Sequence, residues 1–210
     1  MTWIPQAVPA AEELESRLGQ KHLHLPICYG EGEIDGNYAR LAHALGVDAP
    51  DFSAARSKAA EALSEALKVI GQTPISIDYT ATPRVLSLAR RLLEANFNVT
   101  QIFADVFIPG DKDDFEFLKR HFPDLKITPT LHVNMRFANP GATQENSVAI
   151  GQKAAFFTGS TRFVDLVWGR GFYGHAGVAA IADLLTESFR DPKDIKSVIS
   201  HKGWGCESCL

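Results

Sequence analysis

Short apolar stretches alternate with amphipathic helical stretches along most of this chain, and this alternation constrains its fold more than any other feature. Residues 74–79 and 99–104 have the β-branched and apolar content of strands. Residues 51–70 carry alanine, leucine and isoleucine at helical spacing up to the helix-stopping Gly71. Strands that alternate with helices of roughly 10–15 residues favour right-handed crossovers and a mainly parallel sheet covered on both faces. The sequence therefore predicts a Rossmann-like α/β fold with three layers, α/β/α.

The same reading assigns the remaining elements and divides the chain into three parts. Further helices are predicted at residues 9–19, 34–45, 83–93, 111–121, 153–158 and 174–189, and further strands at 22–27, 131–133, 148–150 and 162–167. The rest of 128–144 has no periodicity and is expected to form an irregular loop. We expect a partial first α/β unit with a long connecting helix at 1–71, a Rossmann-like domain at 72–190 and a C-terminal tail at 191–210.

Charge and cysteine content exclude several classes of protein. The formal net charge is −4, from 21 basic and 25 acidic residues without long runs of one sign. Such a balance offers no electrostatic footprint for nucleic acid or an anionic membrane. No stretch of about 18 successive apolar residues suggests a membrane span, and three cysteines are too few for a disulfide scaffold. We therefore expect a cytoplasmic protein with neither nucleic acid nor membrane as partner.

A glycine-rich segment at residues 169–174 is the first candidate binding element. It follows a predicted strand and precedes a predicted helix, and Gly169, Gly171 and Gly174 would allow close approach of the backbone to an anion or cofactor. His175 lies at the start of the helix, where its ring could meet a ligand or bond the backbone. The alternative is a glycine turn that only reverses the chain.

Cysteine and histidine near the C-terminus form the second candidate element. Cys206 and Cys209 stand three residues apart, a spacing that lets two thiolates reach one soft metal ion or cluster, and His201 is near. A complete tetrahedral site needs a fourth ligand, from Cys28, Glu207 or another chain. The alternatives are a tail without metal and, for Cys28, a small buried apolar side chain.

Four segments follow one another in a distinctive order: residues 10–19 leading into the Leu-Pro-Ile-Cys-Tyr-Gly stretch at 25–30, then 75–97, 148–152 and 171–185. This order resembles the C-terminal portion of the nitrogenase component 1-type family. The last segment is similar to the family's "Gly-Tyr-x-Gly-Ala" helix. The resemblance covers nearly the whole chain, although each motif alone is unspecific.

The resemblance implies an oxidoreductase subunit or a fragment of one. In that family, Rossmann-like domains enclose metal clusters, related chains pair to complete the sites, and an ATP-dependent iron–sulfur reductase delivers electrons. The implied cofactor is an iron–sulfur or other metal cluster shared with another chain or a missing segment, and the implied chemistry is metal-cluster or tetrapyrrole-type reduction. The implied partner is a homologous or identical chain.

Two departures from the family limit what carries over. The family's N-terminal cluster cysteines have no counterpart, and the nitrogenase cofactor's cysteine would fall near Trp3. The cofactor's histidine would fall near Val164, where no histidine stands, so nitrogen fixation is not supported. Two alternatives remain open: a non-catalytic small-ligand-binding or assembly module that uses residues 169–174, and a domain without activity of its own.

Overall fold

The computed structural model describes residues 1–137 and 146–194. The helices are α1 (Val8–Leu18), α2 (Glu31–Leu45), α3 (Ser53–Ile70), α4 (Val85–Glu94), α5 (Lys112–His121), α6 (Gln152–Thr158) and α7 (Gly174–Arg190). The strands are β1 (Ile75–Asp78), β2 (Val99–Phe103), β3 (Lys126–Thr128), β4 (Val148–Ile150) and β5 (Arg162–Val164). Helices and strands alternate from α3 to α7, apart from the β3–β4 connection.

The five strands form one sheet in the order β3-β2-β1-β4-β5, and all neighbouring pairs are parallel. Ile77 in β1 is in register with Ile102 in β2 and Ile150 in β4, and all three side chains are fully buried. Parallel strands covered on both faces are mostly apolar. The predicted α/β fold with a mainly parallel sheet is confirmed, and the strand order is that of a Rossmann-like fold.

The helices cover the sheet unequally. Side chains from α3, α4, α5 and α7 join one large core cluster with Ile75 and Ile77 on one face. A smaller cluster on the other face contains Phe103, Ala149 and Phe163 together with α6 alanines. Since side chains alternate between the faces of a strand, Ser76 and Asp78 point toward the α6 side. β1 therefore places a carboxyl group, not an apolar side chain, at its end under α6.

The strand order fixes where a ligand is expected. The chain runs outward from β1 through β2 to β3, returns, and continues from β4 to β5 on the other side of β1. In open parallel sheets the loops diverge at this switch point and leave a crevice at the carboxyl ends of the strands. Here the switch point lies between β1, which ends at Asp78, and β4, which ends at Ile150.

Two predicted strands were wrong, and one strand was missed. Residues 22–27 do not join the sheet: their hydrogen bonds to other backbone groups go to Thr2 and Trp3, with one isolated bridge between Thr2 and His24, and directly after them the Tyr29 amide donates to Ser87 Oγ of α4 at 3.1 Å. The predicted strand at 131–133 is replaced by a turn and a 3-10 helix at Val133–Phe137. β3 was missed because it has three residues at a half-exposed sheet edge.

The predicted three-part division stays a prediction, and residues 195–210 of the predicted tail lie outside the described residues. Buried side chains from both sides of residue 71 share the large core cluster. In the described part of the chain, no helix combines the length and the apolar character that crossing a bilayer requires.

Gly151 joins β4 to α6 and gives a test of this packing. Its φ is +101°, and a Cβ atom there would lie 2.3 Å from Asp78 Oδ2, which hydrogen bonds hold in place. We expect Gly151→Ala to lower the free energy of unfolding by about 2–4 kcal/mol in urea titrations. The control Gly32→Ala, in an exposed helical position without neighbours, should stabilise by up to about 1 kcal/mol. Equal effects of the two substitutions would contradict this packing.

Candidate functional site

The carboxylate of Asp78 organises the end of the central strand. Asp78 is fully buried, and its Oδ1 accepts hydrogen bonds from the Thr80 amide at 2.7 Å, from the Ala81 amide at 3.3 Å and from the Thr80 hydroxyl. Its Oδ2 accepts from the Ala154 amide at 2.8 Å. Burial raises the pKa of Asp78, and these four donors oppose the rise. One carboxyl group thus ties the turn after β1 to the first turn of α6.

This arrangement brings four polar side chains together at the carboxyl edge of the sheet, and we call them the edge cluster: Tyr79, Asp105, Thr130 and Lys153. Tyr79 follows β1, Asp105 follows β2, Thr130 follows β3 and Lys153 follows β4. Lys153 Nζ donates to the Tyr79 hydroxyl and, at 3.1 Å, to Thr130 Oγ1. Three loops and the first turn of α6 therefore meet where ligands bind in this kind of sheet.

Asp105 is the anionic member of the edge cluster. Its oxygens accept from the Thr130 amide and hydroxyl, both at 2.5 Å, and from the Leu131 amide at 3.0 Å. Burial acts to raise the pKa of Asp105, but these hydrogen bonds and one with the Tyr79 hydroxyl outweigh burial and lower it. The carboxylate is therefore charged at neutral pH, with Lys153 Nζ 3.8 Å away as its counter-ion.

Three side chains of the edge cluster form a hydrogen-bonded chain. Lys153 donates to the Tyr79 hydroxyl, and this hydroxyl in turn hydrogen-bonds Asp105. The Lys153 ammonium also lies 4.4 Å from the centre of the Tyr79 ring. The side chain of Lys153 keeps 21% exposure, so a ligand at this edge can reach the ammonium and replace one of its neutral partners.

A buried amide lies beside the edge cluster. Gln152 is 1% exposed, and its Nε2 donates to Asp165 Oδ1 at 3.0 Å. Its Oε1 has no hydrogen-bond partner in the described part of the chain. A buried acceptor without a partner costs free energy, but because Oε1 is enclosed by the protein it offers no open contact to a ligand.

Exposed apolar side chains surround this edge of the sheet, and we call them the apolar rim. They come from the loops after β2, β3 and β5: Val106, Phe107, Leu131, Val133, Val167 and Trp168. Their exposed fractions range from 37% for Val167 to 78% for Leu131. An apolar surface of this kind around a polar centre is typical of a face that another protein body covers.

The glycine segment at 169–174 lies against the turn after β1. The Trp168 amide donates to the Thr80 carbonyl at 2.8 Å, and the Gly169 amide donates to the Ala81 carbonyl at 2.6 Å. Gly169 and Gly171 have φ of +69° and +78°, which their glycine identity permits. The amides of Trp168 and Gly169 hold the loop on the sheet, and the predicted role of Gly169 and Gly171 in cofactor binding stays a prediction.

The two remaining predicted binding residues face α2. Gly174 has φ of +63°, and a Cβ atom there would lie 2.4 Å from the Tyr38 hydroxyl oxygen. His175 is 3% exposed, and its Nε2 lies 2.7 Å from Asp35 Oδ1. The structure thus separates Gly174 and His175 from the edge cluster, and their role in cofactor binding stays a prediction.

Of the predicted metal ligands, only Cys28 lies within the described residues. It is 6% exposed, and its Sγ accepts from Asn37 Nδ2 at 3.2 Å. Burial, together with the Glu33 carboxylate, raises the pKa of the Cys28 thiol to about 12. Within residues 1–137 and 146–194, no three His, Cys, Asp or Glu side chains are grouped as a metal site. His201, Cys206 and Cys209 lie outside the described residues, and their metal binding stays a prediction.

Sequence reasoning missed the edge cluster and one buried cation, Arg84. Arg84 is 3% exposed, and its guanidinium donates to Asp111 Oδ1 and Asp114 Oδ2, both at 2.9 Å, and to the Ile27 carbonyl at 3.2 Å. These partners are far apart in sequence and leave no local signal. The edge cluster does have a local signal in the sequence, because each of its members closely follows a strand.

Cys28 gives a test of the thiol's environment. A thiol with a pKa of about 12 is almost entirely protonated at pH 8 and is also covered by protein. We expect iodoacetamide to alkylate Cys28 at least ~100-fold more slowly in the native protein than in urea, measured by peptide mass spectrometry. Equal rates in the two states would show an accessible thiolate, as a metal ligand requires.

Comparison with known proteins gives a similarity in fold to a solved structure. No protein-family model matches the sequence, and no curated protein matches it. Among solved structures, nitrogenase Cp1 at pH 6.5 superposes with a TM-score of 0.60 at 14% identity, over 86% of this chain and 42% of that chain. At this identity the similarity shows the fold alone. The chain thus spans less than half the length of that nitrogenase chain and has a related α/β fold.

Proposed function

We propose that this chain is a ligand-binding Rossmann-like domain of a nitrogenase component 1-like oxidoreductase, and that its ligand binds against the edge cluster. The observation that carries the proposal is the meeting of Tyr79, Asp105, Thr130 and Lys153 at the carboxyl edge of a parallel sheet. The similarity in fold to a nitrogenase component supports the class of protein. The segment order in the sequence supports the same class.

The chemistry of the edge cluster favours a ligand with carboxylate or carbonyl oxygens. Lys153 supplies a partly exposed ammonium whose closest partners are the neutral hydroxyls of Tyr79 and Thr130. A ligand oxygen anion would form a stronger, charge-assisted hydrogen bond with Lys153 than these hydroxyls do. A tetrapyrrole with carboxylate side chains has such oxygens.

The apolar rim supports the second part of the proposal, a partner body that covers this edge. Polar groups of the edge cluster would then bind the ligand while rim side chains such as Phe107 and Leu131 bury against the partner. The proposed partner is a homologous or identical chain, or another domain of the same protein. We further propose that electrons come from a separate ATP-dependent iron–sulfur reductase, as the family resemblance implies.

The described residues do not fit a resident metal cluster. They contain no group of three candidate ligands, and the thiol of Cys28 is buried and protonated. An iron–sulfur or other cluster would therefore need ligands from another chain or from Cys206, Cys209 and His201. The proposed binding at the edge cluster does not depend on such a cluster.

Titration with protoporphyrin IX tests the proposal on the full chain. The porphyrin's propionates should pair with Lys153, and loss of a charged hydrogen bond costs about 1.5–3 kcal/mol. We therefore expect Lys153→Met to weaken binding by about 10–100-fold, measured by absorbance and fluorescence. Lys68→Met is the matched control, since Lys68 is an exposed lysine of α3 paired only with Glu65.

Two results would contradict the proposed function. Porphyrin binding that is equally strong in Lys153→Met and Lys68→Met would place the ligand elsewhere on the protein. Absence of saturable binding to the wild-type chain, alone and mixed with a second purified component 1-like subunit, would remove the tetrapyrrole as the ligand class.

A further inference from the structure

A cavity lies away from the edge cluster, between the N-terminal segment, the Leu25–Cys28 stretch, α2 and the start of α7. Its volume is about 390 Å³, within the range of roughly 300–1,000 Å³ that small-molecule sites occupy. None of its lining residues belongs to the edge cluster or the apolar rim. It is too small for a helix or a protein loop, so its size favours a small molecule.

The lining of this cavity contains no charged side chain. Its residues include neither Asp and Glu nor Lys, Arg and His. The Cys28 thiol in its wall is protonated, because burial raises the pKa of the group to about 12. The Asn37 amide is fixed by hydrogen bonds from its Nδ2 to the Pro26 carbonyl at 2.8 Å and to Cys28 Sγ at 3.2 Å. A charged ligand would lose its hydration here without gaining an ionic partner.

Three aromatic side chains line the wall, and ring contacts hold them in place. Trp3 and Tyr173 meet edge to face with centroids 5.8 Å apart. Tyr38 stacks on Phe52, outside the lining, at 5.1 Å and 26°. Aromatic pairs of this kind contribute about 0.5–1.5 kcal/mol beyond their buried area. Rings oriented in this way present flat and edge-on surfaces to a further aromatic ring.

Glycine at position 174 is part of how the cavity is built. The Tyr38 hydroxyl lies so close to the Gly174 backbone that a Cβ atom there would meet it at 2.4 Å. Tyr38 and Tyr173 are 37% and 42% exposed, so a ligand that enters meets their rings. Tyrosine combines an apolar ring with a polar hydroxyl, which suits a ligand that is mostly apolar and has one or two neutral polar atoms.

We propose that this cavity binds a small, uncharged aromatic molecule of one or two rings. The volume sets the size of the ligand, the lack of charged side chains in the lining disfavours ions, and Trp3, Tyr38 and Tyr173 select a planar ring. The proposal is independent of ligand binding at the edge cluster, because the two sites share no residue.

The uncharged naphthalene dye prodan is a direct probe, because its emission shifts to the blue in apolar surroundings. We expect saturable binding to the full chain with a blue shift. Leu41→Trp, in the cavity wall on α2, should weaken binding at least about tenfold by filling the cavity. Leu45→Trp is the matched control, since Leu45 lies one turn further along α2, is 67% exposed and does not line the cavity; it should change binding by less than about twofold.

Further outcomes decide the proposal even if Leu41→Trp fails to fold. Trp3→Ala removes one ring from the wall and should also weaken binding, with circular dichroism confirming the fold. The anionic dye anilinonaphthalene sulfonate should bind at least about tenfold more weakly than prodan. Absence of prodan binding, equal binding by Leu45→Trp and the cavity variants, or equal binding of the anionic dye would overturn the proposal. If the bound prodan fluorescence per chain falls as the protein concentration rises, a second copy of the chain occupies the cavity. This result would also overturn the proposal.

Discussion

The hydrogen bonds to the buried carboxylate of Asp78 are the interaction on which the rest of the structure depends. They connect the end of the central strand to the turn at Thr80 and Ala81 and to the amide of Ala154 in α6. A buried carboxyl group is stable only when donors replace its lost water. Because Tyr79 and Lys153 are direct neighbours of these donors in sequence, the same hydrogen bonds set the positions of both side chains at the carboxyl edge.

A second buried charge fixes the other parts of the chain that surround this edge. Arg84 follows the same turn and joins the Ile27 carbonyl to the carboxylates of Asp111 and Asp114. Removal of one member of a buried ionic network leaves its partners unpaired and is strongly destabilising. Asp78 therefore holds the sheet and α6 together, whereas Arg84 holds the N-terminal segment and α5 against the sheet. Asp78 and Arg84 together position the elements that carry the edge cluster and the cavity lined by Trp3, Tyr38 and Tyr173.

The fold was predictable from the sequence, but the candidate site was predictable only in part. Apolar residues at helical spacing over several turns, and short apolar runs between them, are visible in the sequence. The parallel sheet and helices such as α3 and α7 were therefore predicted. The strand predicted at 22–27 failed because alternation of apolar residues cannot show whether a partner strand is present. Glycine and cysteine patterns drew attention to Gly169 and Cys28, yet the amide of Gly169 bonds the Ala81 carbonyl and the thiol of Cys28 is buried. Lys153 gained its partners only through folding, because Tyr79 lies 74 positions away.

Amide hydrogen exchange in the Asp78→Ala protein is the measurement that tests this account most directly. If the carboxylate holds the turn and α6, the amides of Thr80, Ala81 and Ala154 should exchange at least about tenfold faster than in the wild type. The amides of β2 do not donate to Asp78, so they should keep more of their protection from hydrogen exchange. Unchanged exchange at Thr80, Ala81 and Ala154 would contradict the account, because the edge cluster would then be positioned by something other than Asp78.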